Sequence, residues 1–469
     1  MGKQSKRRSR QRYHDLLDDG DLFESMEMSG AGTSVGMPVV RLFILQLFSI
    51  LLFSMPFLSD GGNKGKEIPR NRQPFEEKIL PKLSDYIFRR IYRMSKHSFL
   101  KLHETLEPRL LEIFFPRGGG NRTVGASRYL IDTKNRLSIA IRFFAGADPY
   151  DIMQVHDVSL MSVYYSVWGV VDAINSTKSL AYHFPDHARQ KEYAKGFQSN
   201  SGAMFDCIIG AIDGLVICTL MPSLEFCRSI ECGQTNFRCH RKDKNGLNFQ
   251  AICDHKRRFF WVEMKWPAAT SDYMAWVTSG LHHALENNDV TKKILEGFTI
   301  IGDNAYVKRM FMATPLKGVH GGYQDAYNYY LTEQRVVIEC AFGMLVHRWA
   351  ILRAPLAIPT QKVAPLMESL VRLHNYCINE NELDAIDVRS ATYKNLQRNV
   401  YYSRQLGGMD QGVVSFDEAG RPVSILGHGH HFADADKSRY ARYGSNMPIT
   451  PMDQMIQHCK NKKLKRPQY

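Results

Sequence analysis

The chain has 469 residues, 44% of them hydrophobic and 11% aromatic, which is enough to bury a sizeable core and excludes global disorder. Its formal net charge of +14 favours a polyanionic partner, nucleic acid before an acidic membrane surface, although a solvated basic surface gives the same number. The nine cysteines are odd in number and several lie in apolar runs (Cys207, Cys218, Cys253, Cys340), so the composition suits a reducing compartment and not a disulfide framework.

Residues 1–36 are polar, with a basic run at Lys3–Arg12 and an acidic patch at Asp15–Glu24, the composition of a disordered tail. The basic run reads as a nuclear-import signal or as a plain charged tail. Val39–Leu58 is apolar, and from Leu42 to Leu58 it carries no charge, at the short edge of a membrane span. Gln46, Ser49, Ser54 and Pro56 interrupt it, and it ends without the small residues of a secretory signal. It reads either as a membrane anchor or as an apolar helix packing on the protein or a partner. Residues 1–79 therefore form a disordered basic N-terminus carrying an apolar helix at 39–58, with residues 59–76 as a linker.

Residues 80–200 read as helical. The stretch from Phe88 to Leu111 repeats apolar residues at three-to-four spacing, with Ser95 placed to cap a helix. A helix over Thr133–Phe144, a turn at Ala145–Asp148, a short helix over Pro149–His156 and a further helix capped by Ser159 make a helix-turn-helix pattern. A DNA-reading role would put Ser159, Met161, Ser162 and Tyr165 near the groove; a subdomain that merely packs on its neighbour fits the pattern equally well.

From Phe205 the pattern turns to strands. CIIGAIDGLVICTL is the first, and NFQAICD and RRFFWVEMKW form a hairpin around Asp254-His255-Lys256. SDYMAWVTSGLHHALENN is an amphipathic helix, FTIIGDNAY returns to strand, and EQRVVIECAFGMLVHRW is a helix with Glu339 among apolar faces. Three strands, a helix, a strand and then helices is the order of a ribonuclease H-like fold, α/β with a mixed sheet flanked by helices, over 201–380. Residues 381–469 read as a poorly ordered extension with a basic tail, KNKKLKRPQY, suited to nuclear import or phosphate contact. His428, His430 and His431 lie in a loop-like tract within it.

Asp213, Asp303 and Glu339 are carboxylates on hydrophobic strand, strand and helix, and such groups are costly to bury without a cation. Phosphodiester hydrolysis needs an activated oxygen nucleophile and neutralised phosphate charge, which two divalent ions about 3.5–4 Å apart supply. A hard ion such as Mg²⁺ takes carboxylate oxygen and water, the donor type present here. Taken singly, each of the three is ordinary turn or surface chemistry; their joint placement points to the site. Cys227, Cys232, Cys239 and His240 form a looser group whose spacings miss the usual zinc pattern. No P-loop or dinucleotide fingerprint is present, and no nucleophilic Ser or Cys with a nearby His stands out.

Across residues 86–376 the chain resembles the PIF/Harbinger transposases and their domesticated relatives, in the DDE superfamily of ribonuclease H-like nucleases. YRMSKHSFLKL resembles the family's early helix, and RLSIAIRFFAGADPYDIMQVHDVSLMSVYYSVWGVVDAI its helix-turn-helix-like segment. AIDG matches the first catalytic motif at Asp213, WPAATSDYMAWVTSG the proline-then-Asp motif at Asp272, and IGDNAY the Gly-Asp motif at Asp303. NYYLTEQRVVIECAFGMLVHRWAIL matches the helix motif at Asn328, Arg335 and Glu339, and LHNYC the closing motif at His374 and Asn375. One departure is Ala268-Ala269-Thr270, where the family has Gly-Ser after the proline; another is the apolar segment 39–58.

The resemblance implies a DNA endonuclease or transposase, active or domesticated, with Asp213, Asp303 and Glu339 as catalytic metal ligands. Asp272 would be a further metal ligand or a group behind one, and the metal Mg²⁺ or Mn²⁺. It also implies DNA as substrate, a nuclear location, a Myb-like partner for DNA recognition, and a homo-oligomer as one possible state. Arg335 would bind phosphate or orient Glu339, and Lys308, Arg309, His347 and Arg348 would contact the DNA backbone, with ordinary surface charge as the competing reading.

Overall fold

The computed structural model describes residues 74–115, 131–241, 243–287, 293–382 and 450–467, together with the backbone of two short strands at Ser415–Phe416 and Pro422–Val423. The apolar segment 39–58 and the histidine tract at 428–431 lie outside the described residues. Among the described residues, no helix is long and apolar enough to cross a membrane.

The N-terminal helices begin where their capping residues stand. Helix α1 (Asp85–Tyr92) is capped by Ser84, and α2 (Lys96–Phe114) by Ser95, whose hydroxyl accepts from Ser98 N. Helices α3 (Thr133–Phe144), α4 (Pro149–His156) and α5 (Leu160–Ser176) start on Asp132, Asp148 and Ser159. Each cap accepts a backbone N–H that the helix itself leaves unpaired. Phe75, Phe88, Tyr92 and Phe99 form an aromatic cluster with centroids 4.3–5.9 Å apart. The helix-turn-helix pattern is therefore present as helices, and its buried residues belong to one apolar core shared with the sheet.

Helix α6 (His187–Ser199) leads into strand β1 (Ile208–Cys218). A short helix α7 (Leu224–Ser229) and a two-residue strand at Arg238–Cys239 precede β2 (Lys244–Cys253), which pairs antiparallel with β1 and with β3 (Phe259–Pro267). Helices α8 (Asp272–Val277) and α9 (Gly280–Asn287) carry the chain to β4 (Thr299–Ile301) and β5 (Met312–Ala313). Strand β4 runs parallel to β1, and β5 parallel to β4. The order across the sheet is β3-β2-β1-β4-β5, the mixed ribonuclease H-like arrangement, with β1 and β4 adjacent at the centre.

Side chains alternate across the pleat. On one face Ala211, Ala251 and Ile301 pack with helix α10 (Gly322–Arg348), helix α11 (Thr360–Asn379) and the N-terminal helices. On the other, Ile212, Ile252, Phe260 and Ile300 pack with Trp276, Leu281 and Leu285 of α8 and α9. Asp213, next after Ile212, and Asp303, two after Ile301, both fall on the α10 face.

Helix α12 (Pro451–Asn461) closes the described chain. Thr450 and Asp453 form a reciprocal capping box, and Pro451, Met452, Met455 and Cys459 are buried. It packs on α10 and β5. The poorly ordered end expected from composition thus does not include residues 450–467; buried methionines at helical spacing outweigh the polar character of the surrounding tail.

Candidate active site

Asp213 stands in mid-β1, where its backbone pairs with Ala251 of β2. Its Oδ1 accepts from the next residue's amide, Gly214 N, at 2.8 Å. Asp303 follows the buried run Ile300-Ile301-Gly302, and its Oδ1 accepts from Ala305 N at 2.8 Å, so the turn after β4 holds the carboxylate in place. Helix α10 crosses this face. Arg335, only 2% exposed, donates from Nη1 to Asp213 Oδ2 at 3.2 Å and from Nη2 to Glu339 Oε1 at 2.7 Å. Arg335 and Glu339 are four apart on one helical face, so a single guanidinium meets both carboxylates.

Asp272 approaches from the other side. It is the first residue of α8, behind the cap Ser271. Its Oδ1 accepts from Gln250 Nε2 at 2.8 Å and from Asn248 Nδ2 at 3.1 Å. Gln250 is held in turn by Tyr306, whose hydroxyl donates to Gln250 Oε1 at 2.7 Å. Asn248 also donates to the carbonyl of Thr270, fixing the turn that contains Ala268-Ala269-Thr270. A Cβ on Gly214 would lie 2.0 Å from Asp272 Oδ1, so glycine is required for the carboxylate to come this close beneath β1. Asn248 and Gln250 are 4% and 2% exposed. They are site residues that the sequence reading missed; the available signal was two amides in a strand otherwise reading as buried.

The electrostatics show that these acids share one neighbourhood. Burial pushes the Asp213 carboxyl up to about 7; Arg335 pulls it down, and Asp303, Glu339 and Asp272 push it further up. Burial also raises Asp303, against the pull of Arg335 and the Ala305 amide, with Asp272 adding to the rise and Arg241 opposing it. Arg241 is an exposed cation within electrostatic reach of the site, and the sequence reading did not single it out. Clustered, partly desolvated carboxylates with raised pKa are the signature of a site built to receive positive charge.

The remaining candidates fall elsewhere. Arg335 is buried between its two carboxylates. Arg348 is 1% exposed and donates to the carbonyls of Arg93 and Glu382, while His347 is 7% exposed and takes up Arg353. Both tie α10 to its neighbours. Lys308 pairs with Asp453 at 2.9 Å and Arg309 with Glu286 at 2.8 Å. Asn328 bridges both backbone groups of Leu316, and Asn375 both backbone groups of Phe259, so these two motif residues pin loops and strand starts. His374 Nε2 lies 2.8 Å from the carbonyl of Arg257. The cysteine group around Cys227 forms no metal cluster; among the described residues no three His, Cys, Asp or Glu side chains are placed to hold an ion as they stand.

Residues 216–375 match the family described as DDE superfamily endonuclease. This segment is similar to DDE superfamily endonuclease domains. Over 222 residues the chain is 24% identical to the Bos taurus protein named Putative nuclease HARBI1, an alignment covering 46% of this chain and 59% of that protein. The chain thus spans about three-fifths of the length of the curated relative it matches. No solved structure matches it. The DDE domain match takes in Asp272, Asp303 and Glu339 and begins three residues after Asp213, which reaches the site through the continuous strand β1.

The donor chemistry fits a divalent cation. Asp213 and Asp303 offer hard oxygens from adjacent strands, and burial, with a smaller push from neighbouring acids, raises both carboxyls, a cost that a dication would offset. Glu339 is bound to Arg335, so its oxygens become available to a cation when that ion pair opens. The compensation expected at Glu339 from a metal is supplied in this structure by Arg335, and the Glu339 side chain is itself 33% exposed.

Proposed function

We propose that the chain is a divalent-metal-dependent DNA endonuclease of the Harbinger type, hydrolysing phosphodiester bonds at the Asp213, Asp303 and Glu339 carboxylates. The observation that carries this reading is that one buried arginine pairs with both Asp213 and Glu339, with Asp303 just after the adjacent strand and within its electrostatic reach, on a ribonuclease H-like sheet whose segment 216–375 matches the DDE family. The similarity to a protein named as a nuclease points the same way.

Asp213 and Asp303 would hold Mg²⁺ or Mn²⁺, with Glu339 completing the set. Bound there, the metal supplies neutralisation of phosphate charge and a more acidic water. The chain's own groups set the geometry: Gly214 N and Ala305 N orient the two aspartates. The Asn248–Gln250–Tyr306 network orients Asp272 behind them. In the overall reaction a water oxygen bonds to phosphorus, the bridging P–O bond breaks, and the leaving oxygen takes up a proton. Exposed Arg241, within electrostatic reach of Asp303, would meet a phosphate oxygen.

The Arg335 bridge favours a second reading, a domesticated protein that binds DNA without cutting it, because a guanidinium already satisfies two of the carboxylates. Supercoiled plasmid incubated with Mg²⁺ or Mn²⁺ separates the two. The enzyme reading expects nicked circles that vanish with EDTA and with Asp303→Asn. Equal nicking by wild type and Asp303→Asn removes it, and tight metal-independent binding without nicking establishes the second.

A further inference from the structure

The C-terminal run from Lys460 to Lys465 is more than a charged tail. Helix α12 ends in a turn in which Lys463 takes a left-handed conformation (φ 52°) and Leu464 N bonds back to the carbonyl of Cys459 at 2.9 Å. That backbone pattern is a Schellman motif, which stops a helix in a fixed geometry. Leu464 then packs against the core. Arg466 lies 3.8 Å from Asp325 and 6.0 Å from the ring of Tyr329, and Lys460 lies 5.9 Å from the ring of Tyr323. The segment is therefore laid along the first half of α10, the helix that carries Arg335 and Glu339.

Its charge is left for something else. Lys460, Lys462, Lys463 and Lys465 are all exposed, and among the described residues none of them forms an ion pair. At its other end the same helix is tied to the loop after Asp303. Asp453 uses Oδ2 for the capping box with Thr450 and Oδ1 to accept from Lys308 Nζ at 2.9 Å. The element that presents the lysines is thus built onto both parts of the candidate site. Four like charges held together repel one another, and an extended polyanion is the partner that relieves them.

We infer that helix α12 and its cap form a DNA-backbone docking surface, with Lys460, Lys462, Lys463 and Lys465 contacting phosphates several base pairs from the scissile one. The inference rests on the endonuclease reading for its substrate. Tyr329 and Tyr323, beside Arg466 and Lys460, precede Glu339 by ten and sixteen positions, about 15 and about 24 Å along a helix. At about 3.4 Å per step of one strand, the lysines meet DNA roughly four to seven base pairs from the site. An import receptor would take the same lysines as an extended peptide, which would require Lys460–Leu464 to unwind from the helix and its cap.

The test is fluorescence anisotropy of a labelled duplex of about 30 base pairs, in EDTA so that no cleavage occurs, over a range of salt. Replacing all four lysines by glutamine should lower the slope of log affinity against log salt by about 3 to 4, at ~0.9 per phosphate contact. Affinity at moderate salt should fall at least tenfold, with an unchanged thermal midpoint. The all-arginine variant should keep the wild-type slope. A slope within about one of wild type for the glutamine variant overturns the surface, even if the wild type still nicks plasmid, so that the endonuclease reading survives. A wild type that neither binds nor nicks DNA overturns both. Loss of nuclear accumulation with an unchanged slope assigns the lysines to import and also overturns the proposal.

Discussion

Gly214→Ala perturbs the candidate site through a single methyl group. The added Cβ would stand 2.0 Å from Asp272 Oδ1, 2.7 Å from its Cγ and 2.6 Å from Gln250 Nε2. Ordinary contact begins at 3.4 Å, so the carboxylate must retreat by about 1.4 Å. Such a retreat stretches its bonds from Gln250 and Asn248, now 2.8 and 3.1 Å, beyond useful length. Overpacking of this kind costs about 1–3 kcal/mol, offset by about 0.4–1 kcal/mol because alanine restricts the unfolded chain. The fold should therefore survive. A displacement of about 1 Å at a catalytic constellation costs on the order of 10²-fold in rate.

Gly246→Ala is the matched control. Its Cβ would meet the carbonyl oxygen of Ile217 at 2.1 Å, so the clash is with backbone, away from any carboxylate. The two variants are compared by thermal unfolding and by single-turnover plasmid nicking. Gly214→Ala should lose activity out of proportion to stability, and Gly246→Ala should lose stability first. A folded Gly214→Ala that cuts at the wild-type rate would refute the argument that Asp272 is held against β1 for function.

Three further outcomes are expected. Arg335→Met removes the cation shared by Asp213 and Glu339; breaking a buried pair costs about 3–5 kcal/mol, and partial exposure of the two acids reduces this to about 1–3 kcal/mol in EDTA. Added Mn²⁺ should restore more stability to this variant than it adds to wild type, and equal gains in the two would count against a cation site at these acids. Asn375→Ala strands both backbone groups of Phe259 and should lower the urea midpoint by an amount worth about 2–4 kcal/mol, with little change in metal affinity. Burial holds His156 and His374 down at about 3 against an ordinary 6.5, so both are neutral in the folded protein. Their stabilisation is present above pH 6.5 and is lost as pH falls from there toward 3; at pH 5 each contributes a loss of about 2 kcal/mol. Denaturation at pH 7.5 and pH 5 measures it, and His374→Gln should flatten the dependence.

Much of this arrangement is legible in the sequence because it is local. Ser95 and Ser159 cap helices where their hydroxyls precede an apolar period. Ile300-Ile301-Gly302-Asp303 reads as a buried strand ending in a carboxylate, and the hairpin from β2 to β3 reads from its turn. What sequence order cannot give is which long-range partner meets a side chain. Arg335 stands one turn before Glu339 and looks like a surface cation until β1 places Asp213 on its other side. His347 and Arg348 have the composition of a phosphate contact, yet the carbonyls of Arg93 and Glu382, distant in sequence, draw Arg348 inward. Asn248 and Gln250 gain meaning only when Asp272, more than twenty residues later, comes back beneath the same strand. The methionines of α12 are spaced as a buried face, but the glycine- and histidine-rich chain before them hides the signal.

The most direct test of the central claim is a calorimetric Mn²⁺ titration of wild type, Asp213→Asn and Asp303→Asn at neutral pH without DNA. Asp213, Asp303 and Glu339 as a cation site require saturable binding by wild type, weakened at least tenfold in each variant whose fold is intact. Wild-type affinity retained in both variants, or no saturable binding by the folded wild type, would contradict the account.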